Sequence, residues 1–340
     1  MAMEISDAER AVLHDAIDRM GLGRGRQSPQ LTPLVGGVSS VIVRVDSGES
    51  RFCVKRALPQ LRVAAVWHAP VERNQAEVAW IQRVSAIDPA WVPRVLGQDL
   101  ATQSFAMQYL PEEDYPVWKG QLRDGQVDGN TAEAVGDRLG RIHAVTANRA
   151  DVAEAFPNQD QFYALRLDPY FVAASQRHAS VAPVLMALVD RTHQMRRALV
   201  HGDVSPKNIL VGPNGPVFLD AECAVYGDPA FDLAFCLNHL LLKSVWQPEY
   251  RSQFFLSFTR LMQAYAAHAA WEPLEQFHGR VAELLAAMLL ARVDGKSPVE
   301  YLTDPRDQER VRAFAIAHLL RPSASPSDLL LDWSNNAWLT

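Results

Sequence analysis

Apolar and polar positions follow two regimes along the chain, which change over near residue 117. Residues 6–20 place Val12, Leu13, Ala16, Ile17 and Met20 on one helical face. Ser6 stands as N-cap with Glu9 three residues on, the spacing of a capping box. Residues 30–57 break into short apolar runs around Gly36-Gly37-Val38-Ser39-Ser40 and Asp46-Ser47-Gly48. That pattern predicts strand, Gly-rich turn, strand, tight turn, strand. A helix follows over 70–86, with Val71, Val78, Ile81 and Val84 on its apolar face, then strands over 93–97 and 104–110. The acidic, Pro-containing stretch after Leu110 marks a boundary between residues 1–110 and 111–340.

Beyond it the period is helical. Residues 131–148 repeat Val135, Leu139, Ile142 and Val145 on one face with Glu133 outside, and 183–197 form another helix. Residues 231–242 are apolar nearly all round, as a buried helix is. Helices are also expected over 249–270, 272–292 and 306–319, and 323–340 read as a polar tail carrying Trp333 and Trp338. The predicted class is α+β, a small β-rich lobe followed by a large helical one.

One stretch interrupts the helical half. Val200-His201-Gly202-Asp203 and Asn208 precede the run 209–211, a turn at Gly212-Pro213-Asn214-Gly215 follows, and Val217-Phe218-Leu219 ends in Asp220-Ala221-Glu222. This is hairpin grammar with oxygen donors at its base. Taken singly, Asp203 is a turn carboxylate, Asn208 a strand-start cap and Asp220 a hairpin-end charge. Together they offer hard oxygen ligands suited to Mg²⁺.

His-Gly-Asp with an Asn five residues after the Asp, and Asp220 twelve beyond that, resembles the aminoglycoside phosphotransferase and choline kinase-like family. Gly227-Asp228-Pro229-Ala230-Phe231-Asp232 extends the resemblance. It implies a protein-kinase-like bilobal fold and transfer of the γ-phosphoryl group of ATP to a hydroxyl of a small metabolite. In that reading Asp203 is the catalytic base, and Asn208 and Asp220 hold Mg²⁺. Gly36, Gly37, Ser39 and Ser40 cover the nucleotide, and Lys55 meets its phosphates, held by Glu77 with Glu72 in reserve. The backbone of Gln108, Tyr109 and Leu110 meets the base. His201, Asp228 and Asp232 brace the loop, while Glu222 and Lys207 stay open between site and structural roles.

The chain departs from the family pattern in two places. It lacks Gly-x-Gly-x-x-Gly, and Ser205 stands where that family often has His. A protein kinase is disfavoured, since neither Asp-Phe-Gly nor an activation segment is present. An antibiotic phosphotransferase and a non-catalytic nucleotide-binding protein remain as alternatives.

Composition narrows the partners. The 340 residues carry a net charge of −6, which gives no electrostatic case for nucleic acid or an anionic membrane. Cys53, Cys223 and Cys236 are dispersed, the N-terminus lacks a signal-peptide pattern, and the longest apolar run, 284–291, is too short to span a bilayer. A cytoplasmic protein acting on a small hydroxylated substrate is expected. Residues 241–340, where the acceptor would bind, hold ten Lys and Arg against eleven Asp and Glu. That balance supplies no acidic wall for a polycation. Within them, Arg292 and Lys296 close a long apolar helix and read either as acceptor contacts or as solvated charges at a Gly cap.

Overall fold

The computed structural model describes residues 5–23, 28–34, 39–48, 50–59 and 70–335; Gly36 and Gly37 lie outside them. Alternation in the first third is expressed as one antiparallel sheet. Its strands are β1 (Gln30–Pro33), β2 (Ser40–Ser47), β3 (Ser50–Ala57), β4 (Val95–Asp99) and β5 (Ser104–Gln108), in the order β1-β2-β3-β5-β4. Val41, Val43, Val45, Phe52 and Val54 enter a core with Leu13 and Ile17 of α1 (Asp7–Arg19). The Ser6 hydroxyl accepts from the N–H of Glu9 at 3.2 Å, but the Glu9 carboxylate turns to Arg56 at 2.6 Å. Only one half of the expected capping box therefore forms, because a nearby guanidinium outbids a backbone N–H for the carboxylate. The helix α2 (Arg73–Ser85) completes this part of the chain.

The chain packs as two compact units. One comprises Met1–Tyr115 with Val217–Glu222, the other Pro116–Pro216 with Cys223–Thr340. The second unit is mainly helical. It contains α3 (Trp118–Arg123), α4 (Gly129–Thr146), α5 (Ala150–Ala155), α6 (Gln159–Phe162), a π-helical segment (Tyr163–Val172), α7 (Ala173–Arg177) and α8 (Ala182–Gln194). Short strands follow: β6 (Ala198–Val200), β7 (Ile209–Gly212), β8 (Gly215–Phe218, whose last two residues are counted with the first unit) and β9 (Val225–Gly227), with β6 paired to β9 and β7 to β8. Helices α9 (Pro229–Trp246), α10 (Arg251–Ala266), α11 (Leu274–Asp294), α12 (Pro305–Leu320) and α13 (Pro326–Asn335) complete it.

The apolar helix α9 is buried from Pro229 to Val245, and Asp228 caps it by accepting from the N–H of Ala230. Helices α4 and α10 approach backbone to backbone at Gly136, where a Cβ would stand 2.1 Å from the Leu261 carbonyl oxygen. Val135, Leu139 and Ile142 are buried as their spacing predicts, whereas Val145 is 53 % exposed. The predicted polar tail is in part helical. In α13 Trp333 is fully buried and its indole N–H donates to Ser244 Oγ at 3.2 Å, so burying one large ring outweighs the polar composition around it. Trp338 lies outside the described residues. Among the described residues no helix is long and apolar enough to cross a membrane.

Candidate active site

In the first unit, strand β3 carries Lys55 into the interior opposite Ile42 and Phe105. Its ammonium lies 2.6 Å from Glu77 Oε2 and 2.5 Å from Asp220 Oδ1. Lys55 and Glu77 are each 2 % exposed. Burial works against the charged lysine, but Asp220, Glu77 and Glu222 outweigh it and hold Lys55 protonated, well above its ordinary range. Burial pushes Glu77 up to about 7, against the pull of Lys55. Of the two candidate glutamates Glu77 meets the lysine, while Glu72 sits at the N-terminus of α2 without a side-chain cap bond.

A second ion pair lies beside the first. Arg73 Nε donates to Glu222 Oε2 at 3.0 Å, and the same guanidinium donates to the carbonyls of Pro70, Leu58 and Ser39. Arg73 thereby ties the start of α2 to the backbone that leads into β2. Two cations thus face three carboxylates, Glu77, Asp220 and Glu222. Asp220 itself adopts φ 65°, a left-handed conformation uncommon outside glycine. Trp80 and Phe218 pack edge to face at 6.2 Å nearby. Ser39 and Ser40 are buried, Gln108 is exposed at the end of β5, and the Tyr109 ring lies under Arg44 and Arg51 at 5.8 and 5.9 Å.

In the second unit the loop after β6 is fixed by its own backbone donors. The N–H groups of His201 and Gly202 donate to the Asp232 carboxylate at 2.6 and 2.8 Å, and the N–H of Asp203 donates to His201 Nδ1 at 3.1 Å. Gly202 has φ 81°, and a Cβ there would stand 2.8 Å from both Cβ and the carbonyl oxygen of Cys223. No other residue fits. The Asp203 carboxylate pairs with Arg166 at 2.9 Å and with Lys207 at 3.1 Å, and Asn208 Nδ2 donates to the Asp203 carbonyl at 3.1 Å. Asp228 pairs with Arg280 at 3.0 Å besides capping α9. Among the described residues no three His, Cys, Asp or Glu side chains are grouped to hold a metal by themselves.

The turn after α11 does not present its two cations alike. Lys296 is exposed and pairs with Asp168 at 2.7 Å. Arg292 is buried, donates to Ser297 and to the Tyr170 hydroxyl, and lies 5.6 Å from the Tyr170 ring. The structure thus groups Lys55 with Glu77, Asp220 and Glu222, and groups Asp203 with Asn208. It separates Lys296 from Arg292.

Two functional candidates escaped the sequence reading: Arg73 and Arg166. Arg166 lies in the π-helical segment, which carries Pro169 inside it. Residues 150–181 show no clear period, so nothing there marks Arg166. Arg73 was legible only as one polar residue on the face of an amphipathic helix.

A model of the phosphotransferase enzyme family matches residues 30–271. The methylthioribose kinase of Exiguobacterium sibiricum is 24 % identical over 318 residues, 82 % of this chain and 80 % of that protein. The methylthioribose kinase of Yersinia pseudotuberculosis is 25 % identical over 229 residues, 59 % of this chain and 55 % of that protein. Among solved structures, an amicoumacin kinase in complex with AMP-PNP, Ca²⁺ and Ami superposes with a TM-score of 0.59 at 14 % identity, covering 94 % of this chain and 96 % of that one. The α+β architecture is therefore the protein-kinase-like one, and the match across residues 30–271 makes this chain a member of the phosphotransferase enzyme family.

Proposed function

We propose that the chain transfers the γ-phosphoryl group of ATP to a hydroxyl of a small molecule, with Asp203 as catalytic base. The observation that carries this reading is the buried ion cluster of Lys55, Glu77 and Asp220. A lysine fixed by a helix glutamate is the device that neutralises nucleotide phosphate charge, and the family membership supplies the reaction class. Phosphoryl transfer passes through a loose, charged transition state, so the residues mainly position and neutralise.

In this mechanism Lys55 meets the α- and β-phosphates, and Glu77 keeps it extended. Arg73, bound to the Ser39 carbonyl, steadies the backbone at Ser39, and Gly36, Gly37, Ser39 and Ser40 would cover the phosphates. The backbone of Gln108, Tyr109 and Leu110 receives the base. Asp203 accepts or orients the acceptor hydroxyl, with Arg166 setting the direction of its carboxylate. Asn208 and Asp220 would hold Mg²⁺, which when bound neutralises charge on the β- and γ-oxygens. The donor chemistry suits a hard cation, since the side chains of Asn208 and Asp220 offer oxygens. Those metal and base roles rest on the spacing of Asp203, Asn208 and Asp220 in the family motif.

The two methylthioribose kinase relatives favour a small sugar-like acceptor over a peptide. Purified protein with Mg·ATP and a hydroxylated-metabolite panel tests the reading by ADP release. Acceptor-dependent release abolished by chelator is expected. A protein that binds Mg·AMP-PNP yet turns over no acceptor would instead be a non-catalytic nucleotide binder.

A further inference from the structure

Three buried donors in the second unit have no acceptor among the described residues: Lys243 Nζ, the Tyr301 hydroxyl and Arg292 Nε. They belong to one continuous cluster. Lys243, 1 % exposed, has its ammonium 4.4 Å from the Tyr301 ring and 4.9 Å from the Trp246 ring. Tyr301 in turn packs on Trp246 at 4.9 Å, and the N–H of Val299 donates to the Arg292 carbonyl at 2.9 Å, which folds the segment bearing Tyr301 back over the end of α11. Two aromatic faces offset part of the cost of a buried ammonium. They accept none of its three N–H bonds.

The cluster continues toward Asp203. On α9, Phe235, His239 and Lys243 succeed one another at four-residue intervals, which places them on one face. The rings of Phe235 and His239 lie 5.7 Å apart, and Arg166, the partner of Asp203, stands 6.0 Å from the Phe235 ring. Lys243 is thus about 12 Å along the helix from Phe235. A small molecule spans that distance.

Charge in this cluster is one-sided. Lys119, Arg166, Lys207, Lys243 and Arg292 stand against Asp203 and Glu300, and Glu300 is exposed and paired with Lys119. Burial holds His239 neutral, and the charges that reinforce this are all cations: Arg292, Lys243, Lys207 and Lys119. Burial and the charges of Lys119 and Arg123, opposed by Glu300, bring Lys243 down to about 8. The carboxylates of Asp168 and Asp294, which also flank α11, are committed to Lys296, Arg312 and His178.

We propose that the phosphoryl acceptor carries an anionic group, a carboxylate or phosphate ester, received by Lys243, the Tyr301 hydroxyl and Arg292 while its hydroxyl lies at Asp203. Tyr301, partly exposed on the connection between α11 and α12, is the ring that shifts to admit it. The inference rests on the kinase reading above. It names a substrate class for that site, distinct from neutral methylthioribose and from cationic choline or aminoglycosides.

The test uses the full chain with Mg·ATP and matched probes: glycerate against glycerol, gluconate against glucose, pantothenate against panthenol, ribose 5-phosphate against ribose. Methylthioribose, choline and kanamycin complete the panel. ADP release should favour the anionic member of a pair at least tenfold in kcat/KM, and the productive pair separates carboxylate from phosphate ester. Lys243→Met should raise the KM of that member at least tenfold and leave the KM for ATP within twofold, with partial recovery in Lys243→Arg. Equal or better turnover of neutral or cationic probes overturns the proposal.

A second measurement needs no acceptor. With Mg·ADP present, millimolar sodium sulfate should raise Tm above an equal ionic strength of sodium chloride by more in the wild type than in Lys243→Met or Lys243→Gln, which keep only the general structure-stabilising effect of sulfate. An identical sulfate response in all three overturns the anion site. Loss of nucleotide binding and of all ADP release, with the sulfate response intact, would instead remove the kinase reading and leave the anion site standing.

Discussion

Arg166 holds the carboxylate of Asp203 at 2.9 Å and also donates to the Gly202 carbonyl, so one guanidinium fixes both the loop and its acid. Lys207 reaches the same carboxylate at 3.1 Å but is 54 % exposed. A buried bond sets direction where a solvated one does not. Arg166→Leu should therefore lower kcat by roughly 10²-fold through misplacement of Asp203. Lys207→Ala should change it by less than threefold. Steady-state kinetics of both variants checks this, and the reverse order of effects would transfer the orienting role to Lys207.

Gly202 is tied to backbone geometry in the same loop. At φ 81°, with Cys223 filling the space a Cβ would need, Gly202→Ala should destabilise the fold by more than about 1 kcal/mol. Urea unfolding measures it. A midpoint equal to wild type would show that the loop relaxes freely.

The sheet, the α2 helix and the hairpin at Val200–Asp232 were legible because each rests on a short-range rule. Period-two runs gave the strands, and the Gly and Pro turn gave the hairpin. Asp203, Asn208 and Asp220 are singled out by their order alone, and their roles rest on that order. Lys55 and Glu77, 22 residues apart, needed the resemblance to be paired, and the 2.6 Å contact joins them. Arg73 and Glu222 are 149 residues apart, and no local pattern joins residues so distant. Arg166 hid in a π-helical segment without a clean period, and Val145 kept its place in the helical repeat yet is exposed. Lys243 sits near the end of a largely apolar helix, far along it from Asp232, where a charge reads as an interruption and not as a site.

Glu222 and Asp220 should separate on substitution. Glu222→Ala removes a carboxylate from the buried Arg73 guanidinium, a loss of about 3 kcal/mol in stability. Asp220 is 22 % exposed and leaves Lys55 its bond to Glu77, so its substitution by Ala should cost less stability than loss of Glu222 while removing Mg²⁺-dependent turnover. Urea midpoints and Mg²⁺ titrations of the two variants check the pair. An active Asp220→Ala protein would exclude that residue from the metal.

Lys243 predicts a pH signature. Its folded pKa, about 8, lies below the unfolded value of 10.5. Between those values the unfolded chain binds more protons, so this group makes stability rise with pH across that window. Below about pH 8 the penalty is complete, of order 3 kcal/mol. Lys243→Met should raise Tm at pH 7, and the gain should shrink toward pH 10. A variant less stable than wild type at pH 7 would make the lysine a structural cation held by its aromatic rings.

The most direct test of the central claim is acceptor-dependent ADP release by Asp203→Asn against wild type, with Mg·AMP-PNP affinity measured alongside. Asparagine keeps the size of the side chain and removes its charge and basicity. Phosphoryl transfer should fall by roughly 10²–10⁴ while nucleotide affinity stays within about threefold. Turnover within threefold of wild type would contradict the assignment of Asp203 and, with it, the proposed mechanism.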